Sequence, residues 1–204
     1  MFLPIRCAVC GRAGVSPCPV CLAEMRRAPG LATPPGLDRC HALLSFDGPA
    51  RDLVARLKYR NARGALGWLA GAMADLVRPT GADLVTWAPT SPGRRRQRGF
   101  DQAELLARRV AGELGRPCPP LLRRLGGPPQ TGLSQVDRWR GPRLVSHSSI
   151  HLTDAHTVLV VDDVITSGAS MSAAARTLRQ AGAGHVIGLA AARTPRPGLR
   201  RRAG

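Results

Sequence analysis

One stretch in the last third of the chain combines the two kinds of group that a sugar phosphate requires. It runs Val158-Leu159-Val160-Val161-Asp162-Asp163-Val164-Ile165-Thr166-Ser167-Gly168-Ala169-Ser170. An apolar run with the length and branching of a buried strand ends in two carboxylates. Small hydroxyl residues around a glycine follow, and then a helical pattern. Carboxylates accept hydrogen bonds and repel phosphate, so Asp162 and Asp163 suit a pair of donors such as the 2- and 3-hydroxyls of a ribose. Thr166, Ser167 and Ser170 offer hydroxyl donors, and Gly168 lets backbone approach closely. The free amides and positive dipole end of a helix beginning near Ala169 and Ser170 suit an anion. A ribose 5-phosphate satisfies both halves at once. A capped helix with two solvated aspartates would explain the pattern without a ligand. Two adjacent acids at a buried strand end are costly without a partner, however. The G-x-x-x-x-G-K-[ST] loop of ATPases is absent, and no G-x-G-x-x-G follows this strand.

Two further sets of residues bear chemistry. Cys7-x-x-Cys10 and Cys18-x-x-Cys21 are two chelating pairs, and four thiolates complete a tetrahedral Zn²⁺ site. Four protein ligands leave no open position, so such a zinc would be structural. Cys40 and His41 lie close enough in sequence to replace one ligand, whereas Cys118 stands apart. Pro89–Gly99 is a basic loop with Arg94, Arg95, Arg96 and Arg98. It suits a pyrophosphate, a nucleic-acid backbone or plain solvation. Few aromatics accompany these arginines, apart from Phe100 and Trp139, which argues against a base-stacking platform.

The elements that must position these groups follow from periodicity. Ala42–Phe46 is expected as a strand, then a helix opening near Pro49 with Leu53, Val54 and Leu57 on one face. Ala65–Val77 is expected as a helix, Ala82–Trp87 as a strand and Asp101–Leu114 as a helix. Thr157–Val161, Ser170–Gln180 and Val186–Ala191 form a strand–helix–strand unit, which implies a parallel sheet. Residues 126–149, rich in Gly, Pro, Ser and Arg, are expected to lack regular structure and to be functional. The domain boundaries expected are residues 1–36 for a cysteine module and linker, 37–194 for an α/β domain and 195–204 for a basic tail.

Apolar content of 44% permits a core, but aromatics at 3% make it an aliphatic one. The formal net charge is +17, and Lys58 is the only lysine. Such a charge fits a nucleic acid or a strongly anionic small substrate, and an arginine-rich composition alone also produces it. No stretch resembles a secretory h-region or a membrane span, so a cytoplasmic location without membrane insertion is expected. Clustered cysteines there point to metal rather than disulfides.

The Val158–Ser170 stretch resembles the phosphoribosyl pyrophosphate signature of type I phosphoribosyltransferases. Arg98-Gly99-Phe100-Asp101-Gln102-Ala103-Glu104-Leu105-Leu106-Ala107 resembles a segment of the ComF family, as do Leu57-Lys58-Tyr59, Gln130-Thr131-Gly132-Leu133-Ser134, Arg138 and the paired C-x-x-C motifs. The resemblance covers residues 5–194. It implies the type I phosphoribosyltransferase fold, an α/β architecture with a mostly parallel, Rossmann-like sheet flanked by helices, carrying a small N-terminal zinc-binding module. It implies binding of phosphoribosyl pyrophosphate with Mg²⁺, and phosphoribosyl transfer to an acceptor through an oxocarbenium-like state. Asp162, Asp163 and Arg98 would be the catalytic residues. Thr166, Ser167, Gly168, Ala169, Ser170, Thr90, Ser91 and Arg138 would complete the ligand contacts. Residues 126–143 would be a closing lid and residues 40–64 the hood that selects the acceptor. The family is linked to DNA uptake in competence, so DNA and competence-machinery proteins are implied partners. The chain departs from the family pattern at Trp87-Ala88-Pro89, Asp101, Gly141 and Ser167.

Overall fold

A computed structural model describes residues 5–30, 32–57, 63–125, 141–147 and 151–195. Four parallel strands form the central sheet in the order β1-β6-β5-β2. These are β1 (Arg39–Ser45), β2 (Leu84–Trp87), β5 (Thr157–Ile165) and β6 (His185–Arg193). The two inner strands, β5 and β6, are apolar on both faces, as a sheet covered from both sides requires. Their lengths differ from those of their neighbours in a way that matters. Pairing of β2 with β5 ends at Trp87↔Val161, whereas β5 stays paired with β6 through Asp162↔Ala190, Val164↔Ala192 and Ile165↔Arg193. The sequence pattern predicts a strand end at Val161, but the strand runs four residues further. The ladder to β6 carries it on, and the two aspartates conceal that continuation from any reading of hydrophobicity.

One face of the sheet is covered by α2 (Gly48–Arg56), α3 (Arg63–Val77) and α5 (Gln102–Leu114). The other is covered by α6 (Ala169–Gln180) and a hairpin of β3 (Leu122–Arg124) with β4 (Leu144–Ser146). Leu53, Leu69, Met73, Leu106, Leu159 and Leu189 are fully buried, so the core is aliphatic as composition demands. Trp87 is buried, and the Arg108 guanidinium lies 5.4 Å from its ring centroid. β4 falls within the stretch expected to lack structure. The strand expected at Ala42–Phe46 is present as β1, at one edge of the sheet.

The basic loop also contains a helix that its charge run hides. α4 (Pro92–Arg98) begins with the Ser91 hydroxyl accepting from the Arg94 N–H at 3.3 Å and stops at Gly99, where φ is 76°. It has caps but no apolar stripe, so periodicity cannot reveal it. At the N-terminal end of the chain, a short helix α1 (Pro19–Ala23) closes the cysteine segment. Cys7, Ala8, Val9, Cys18 and Cys21 are buried in the same apolar cluster as Leu57 and Leu66. Residues 26–28 then cover the open edge of β1. The Ser45 N–H donates to Arg26 O at 2.8 Å and the Ala28 N–H to Leu43 O at 3.1 Å. Among the described residues no helix is long and apolar enough to cross a membrane.

Candidate functional site

Because β2 stops early, Asp162 and Asp163 stand on β5 beyond its pairing with β2, at the carboxyl end of the sheet where open α/β sheets bind ligands. Each carboxylate is held by the backbone after it. The Asp163 N–H donates to Asp162 Oδ1 at 2.8 Å, and the Val164 N–H donates to Asp163 Oδ1 at 2.8 Å. Each aspartate therefore keeps its second oxygen for another donor. Burial, the adjacent Asp163 charge and the more distant Asp101 push the Asp162 carboxyl well above its ordinary range. Negative charge on this pair is held at a cost that hydroxyl donors or a cation would relieve.

Five residues beyond Asp163, the chain turns. Gly168 has φ 79° and ψ 0°, a left-handed conformation that only glycine adopts freely, and α6 starts at Ala169. The first helical bond runs from the Ser172 N–H to Gly168 O at 2.9 Å, so the amides before it have no helical partner, and that of Ala169 donates to the Ser167 hydroxyl at 3.4 Å. Thr166 and Ser167 are exposed, and Ala169 and Ser170 are half-buried. Asp162 and this turn line a single concavity.

Asp101 lies within electrostatic reach of Asp162. Its carboxylate is buried, caps α5 through the Ala103 N–H at 3.1 Å and holds the Thr90 N–H at 2.8 Å. Burial pushes its carboxyl up against the opposing effect of these N–H bonds. Both oxygens are in use, so an asparagine, with one acceptor, would confront one of the two N–H groups with its own NH₂. Asp101→Asn is expected to cost about 1–3 kcal/mol, read as a lowered thermal midpoint. An unchanged midpoint would show that the two bonds are not needed.

Sequence reasoning passed over Arg124. The Thr86 hydroxyl donates to Pro119 O at 3.1 Å and accepts from the Leu121 N–H at 3.3 Å, tying the hairpin to β2 near its carboxyl end. Leu122 and Arg124 share one face of β3, and Leu122 is buried. Arg124 is therefore carried inward over the strand ends. Burial and the Arg94 charge press its guanidinium below its usual range, while the Asp162 and Asp101 carboxylates act in the other direction. The signal available in the sequence was its place at the start of the loop, in phase with Leu122.

The expected residues do not all converge. Asp162 and Thr166–Ser170 meet at the concavity, and Asp163, next along β5, does not line it. The Thr90 amide is held by Asp101, and the Ser91 hydroxyl caps α4. The Arg98 guanidinium donates to Gln102 Oε1 at 3.1 Å, which ties it to the first turn of α5. Arg138 and residues 126–140 of the expected lid lie outside the described residues. So do Lys58 and Tyr59.

The four cysteines do converge. The Sγ atoms of Cys7, Cys10, Cys18 and Cys21 all lie within 4.8 Å of one another, and three of these residues are buried. Burial raises the Cys7 thiol, but the backbone N–H groups of Cys10, Cys18 and Val9 outweigh this and hold it at about 6. Burial and its sulfur neighbours push Cys21 to about 12, so the four thiols resist ionising together without a cation. An all-thiolate set of this spread fits Zn²⁺. Cys40 and His41 are not part of the cluster.

Comparison with known proteins bears on the carboxyl-end site. Residues 104–203 match the phosphoribosyl transferase domain family. An adenine phosphoribosyltransferase of Frankia casuarinae is 34% identical over 126 residues, which span 62% of this chain and 61% of that protein. A purine phosphoribosyltransferase from Pyrococcus horikoshii superposes with a TM-score of 0.44 at 17% identity, over 66% of this chain and 76% of that one. A glutamine phosphoribosylpyrophosphate amidotransferase from B. subtilis gives 0.43 at 20% identity, over 66% and 30%. The chain thus spans about three-fifths of the curated relative. The matched residues 104–203 carry most of α5, the acidic pair and the glycine turn, and the parallel sheet with its flanking helices matches the α/β phosphoribosyltransferase fold.

Proposed function

We propose that this protein binds phosphoribosyl pyrophosphate at the carboxyl end of its sheet and transfers the phosphoribosyl group to an acceptor. One observation carries the reading. Asp162 lines one concavity with a left-handed glycine turn and the start of α6, with Asp163 next along the strand, so acceptors for a diol stand beside hydroxyls and a helix start that suit a phosphate. Asp162 and Asp163 would hold the ribose hydroxyls, and Thr166–Ser170 would hold the 5-phosphate. Arg124 and Arg94, with Thr90 and Ser91, would face the pyrophosphate, where negative charge grows as the bond to the anomeric carbon breaks. Arg138 would join them from the segment that follows β3. The paired carboxylates are hard oxygen donors that fit Mg²⁺ arriving with the substrate, which would add charge neutralisation at the pyrophosphate.

Calorimetry with phosphoribosyl pyrophosphate and Mg²⁺ tests binding, and pyrophosphate release across nucleobases and amines tests transfer. Arg124→Ala is expected to weaken phosphoribosyl pyrophosphate at least about tenfold and to leave ribose 5-phosphate unaffected. Equal loss of both ligands would place Arg124 elsewhere than at the pyrophosphate. No heat with the wild-type protein would remove the reading itself.

A second reading makes it a non-catalytic, nucleic-acid-binding competence protein of the ComF family, acting in the cytoplasm with competence partners and DNA and using the domain as a ligand-binding or docking module. The four arginines of α4 support it, of which Arg94, Arg95 and Arg96 are exposed, together with the net charge of +17. Absence of a DNA mobility shift even at low salt would count against it.

A further inference from the structure

The stretch between the cysteine segment and β1 is packed against α6. In the last turn of that helix, Arg179 donates to Gly36 O at 3.1 Å and to both oxygens of Asp38 at 2.7 and 2.8 Å. Asp38 Oδ2 also accepts from the Val186 N–H at 2.7 Å, so this end is pinned to β6 as well. Midway, a Cβ on Gly36 would lie 3.2 Å from Ala175 Cβ, and Leu37 is buried. At the far end Pro34 is buried over Gly168, where a Cβ would lie 2.9 Å from Pro34 Cγ and 3.1 Å from its Cβ. The Arg193 guanidinium takes hold of Ala32 O at 3.1 Å, beside the carboxyl end of β6. Residues 32–38 thus form a strap along α6 that ends on the glycine of the turn.

The contact falls on the residue that must be left-handed. Glycine has more conformations to lose than any other residue, and a turn free to sample them would be ordered only at the expense of affinity. A pyrrolidine ring is rigid and cannot follow such motion. We propose that Pro34 is a positioning residue: seated by the strap, it holds Gly168 left-handed, so that the start of α6, with the Ser170 amide and the Ser167 hydroxyl on the Ala169 amide, is set for a sugar 5-phosphate before it arrives. The ligand class rests on the site reading above, whereas the grip on the turn does not. Pro34 acts through Gly168 and touches no ligand.

The test uses the full chain. Pro34→Gly is expected to speed hydrogen exchange several-fold in peptides covering residues 166–172 of the empty protein, leaving peptides from β2 and α5 unchanged. It is expected to weaken ribose 5-phosphate about tenfold, with inorganic pyrophosphate unaffected. A double-mutant cycle guards against a variant that fails to fold. Gly168→Ala alone drives a methyl against the ring, and adding Pro34→Ala is expected to restore part of the lost affinity. Additive losses in that cycle overturn the proposal. So does unchanged ribose 5-phosphate affinity in Pro34→Gly, or a loss that reaches pyrophosphate equally. If the wild-type protein binds no ribose 5-phosphate, the site reading fails, and the exchange rates alone decide the strap.

Discussion

Asp162→Asn combined with Asp163→Asn is expected to abolish detectable binding of phosphoribosyl pyrophosphate while making the empty protein more heat-stable. Asparagine keeps an oxygen for the N–H groups of Asp163 and Val164, so the backbone of β5 has no reason to move. What is lost is charge. A hydrogen bond to an ionised acceptor contributes about 1.5–3 kcal/mol, so two of them correspond to at least about a hundredfold in affinity. The gain in stability has the same origin. Burial and the neighbouring aspartate raise the Asp162 carboxyl above its unfolded value of 3.8. Between those two values the native state holds more protons than the unfolded chain, and stability therefore falls as pH rises through that window. The double variant lacks that slope. Thermal melts from pH 4 to pH 8 alongside calorimetry check both halves, and a stability gain of about 0.5–2 kcal/mol is expected at neutral pH. Retained binding within about threefold would sink the assignment of these carboxylates to the sugar. Lost binding with a lowered midpoint would show instead that they support the fold.

The second large effect is expected at the cysteines. Purified under reducing conditions, the chain should carry one Zn²⁺, and a strong chelator should release the segment from Cys7 to Cys21 and lower the thermal midpoint of the whole protein. Structural zinc in small peptides contributes about 10–16 kcal/mol of binding free energy, far more than a segment this short could draw from its own core. Cys7, Cys18 and Cys21 are 2%, 6% and 5% exposed and share an apolar cluster with α3, so their release would uncover that helix. Cys10→Ser removes the exposed ligand with little change in packing and is expected to weaken metal retention without emptying the cluster of side chains. Metal analysis, with melts before and after chelation, checks this. A metal-free protein with an unchanged midpoint would leave the four thiols as ordinary buried cysteines.

The sequence was informative wherever a function imposes a local pattern. The acidic pair, the glycine turn and the two C-x-x-C motifs are contiguous, because a strand end, a helix start and a chelating turn are each built within a few residues. The helices α2, α3 and α5 could be read because each repeats an apolar face on a buried sheet. Gly168 could be singled out from the turn alone.

Other features depended on the chain returning to the same place. That β5 runs on to Ile165 depends on β6 lying beside it, and that Asp162 stands clear depends on β2 stopping at Trp87. Asp101 looks like a helix cap in the sequence, but only tertiary packing sets Thr90 against its second oxygen. Arg124 acquires meaning from Thr86, which lies far back along the chain, and Pro34 from Gly168, which lies farther still. Periodicity and motifs record what a residue does with its near neighbours. The grip of one segment on another is a long-range contact, and its energy leaves no mark on the spacing of either.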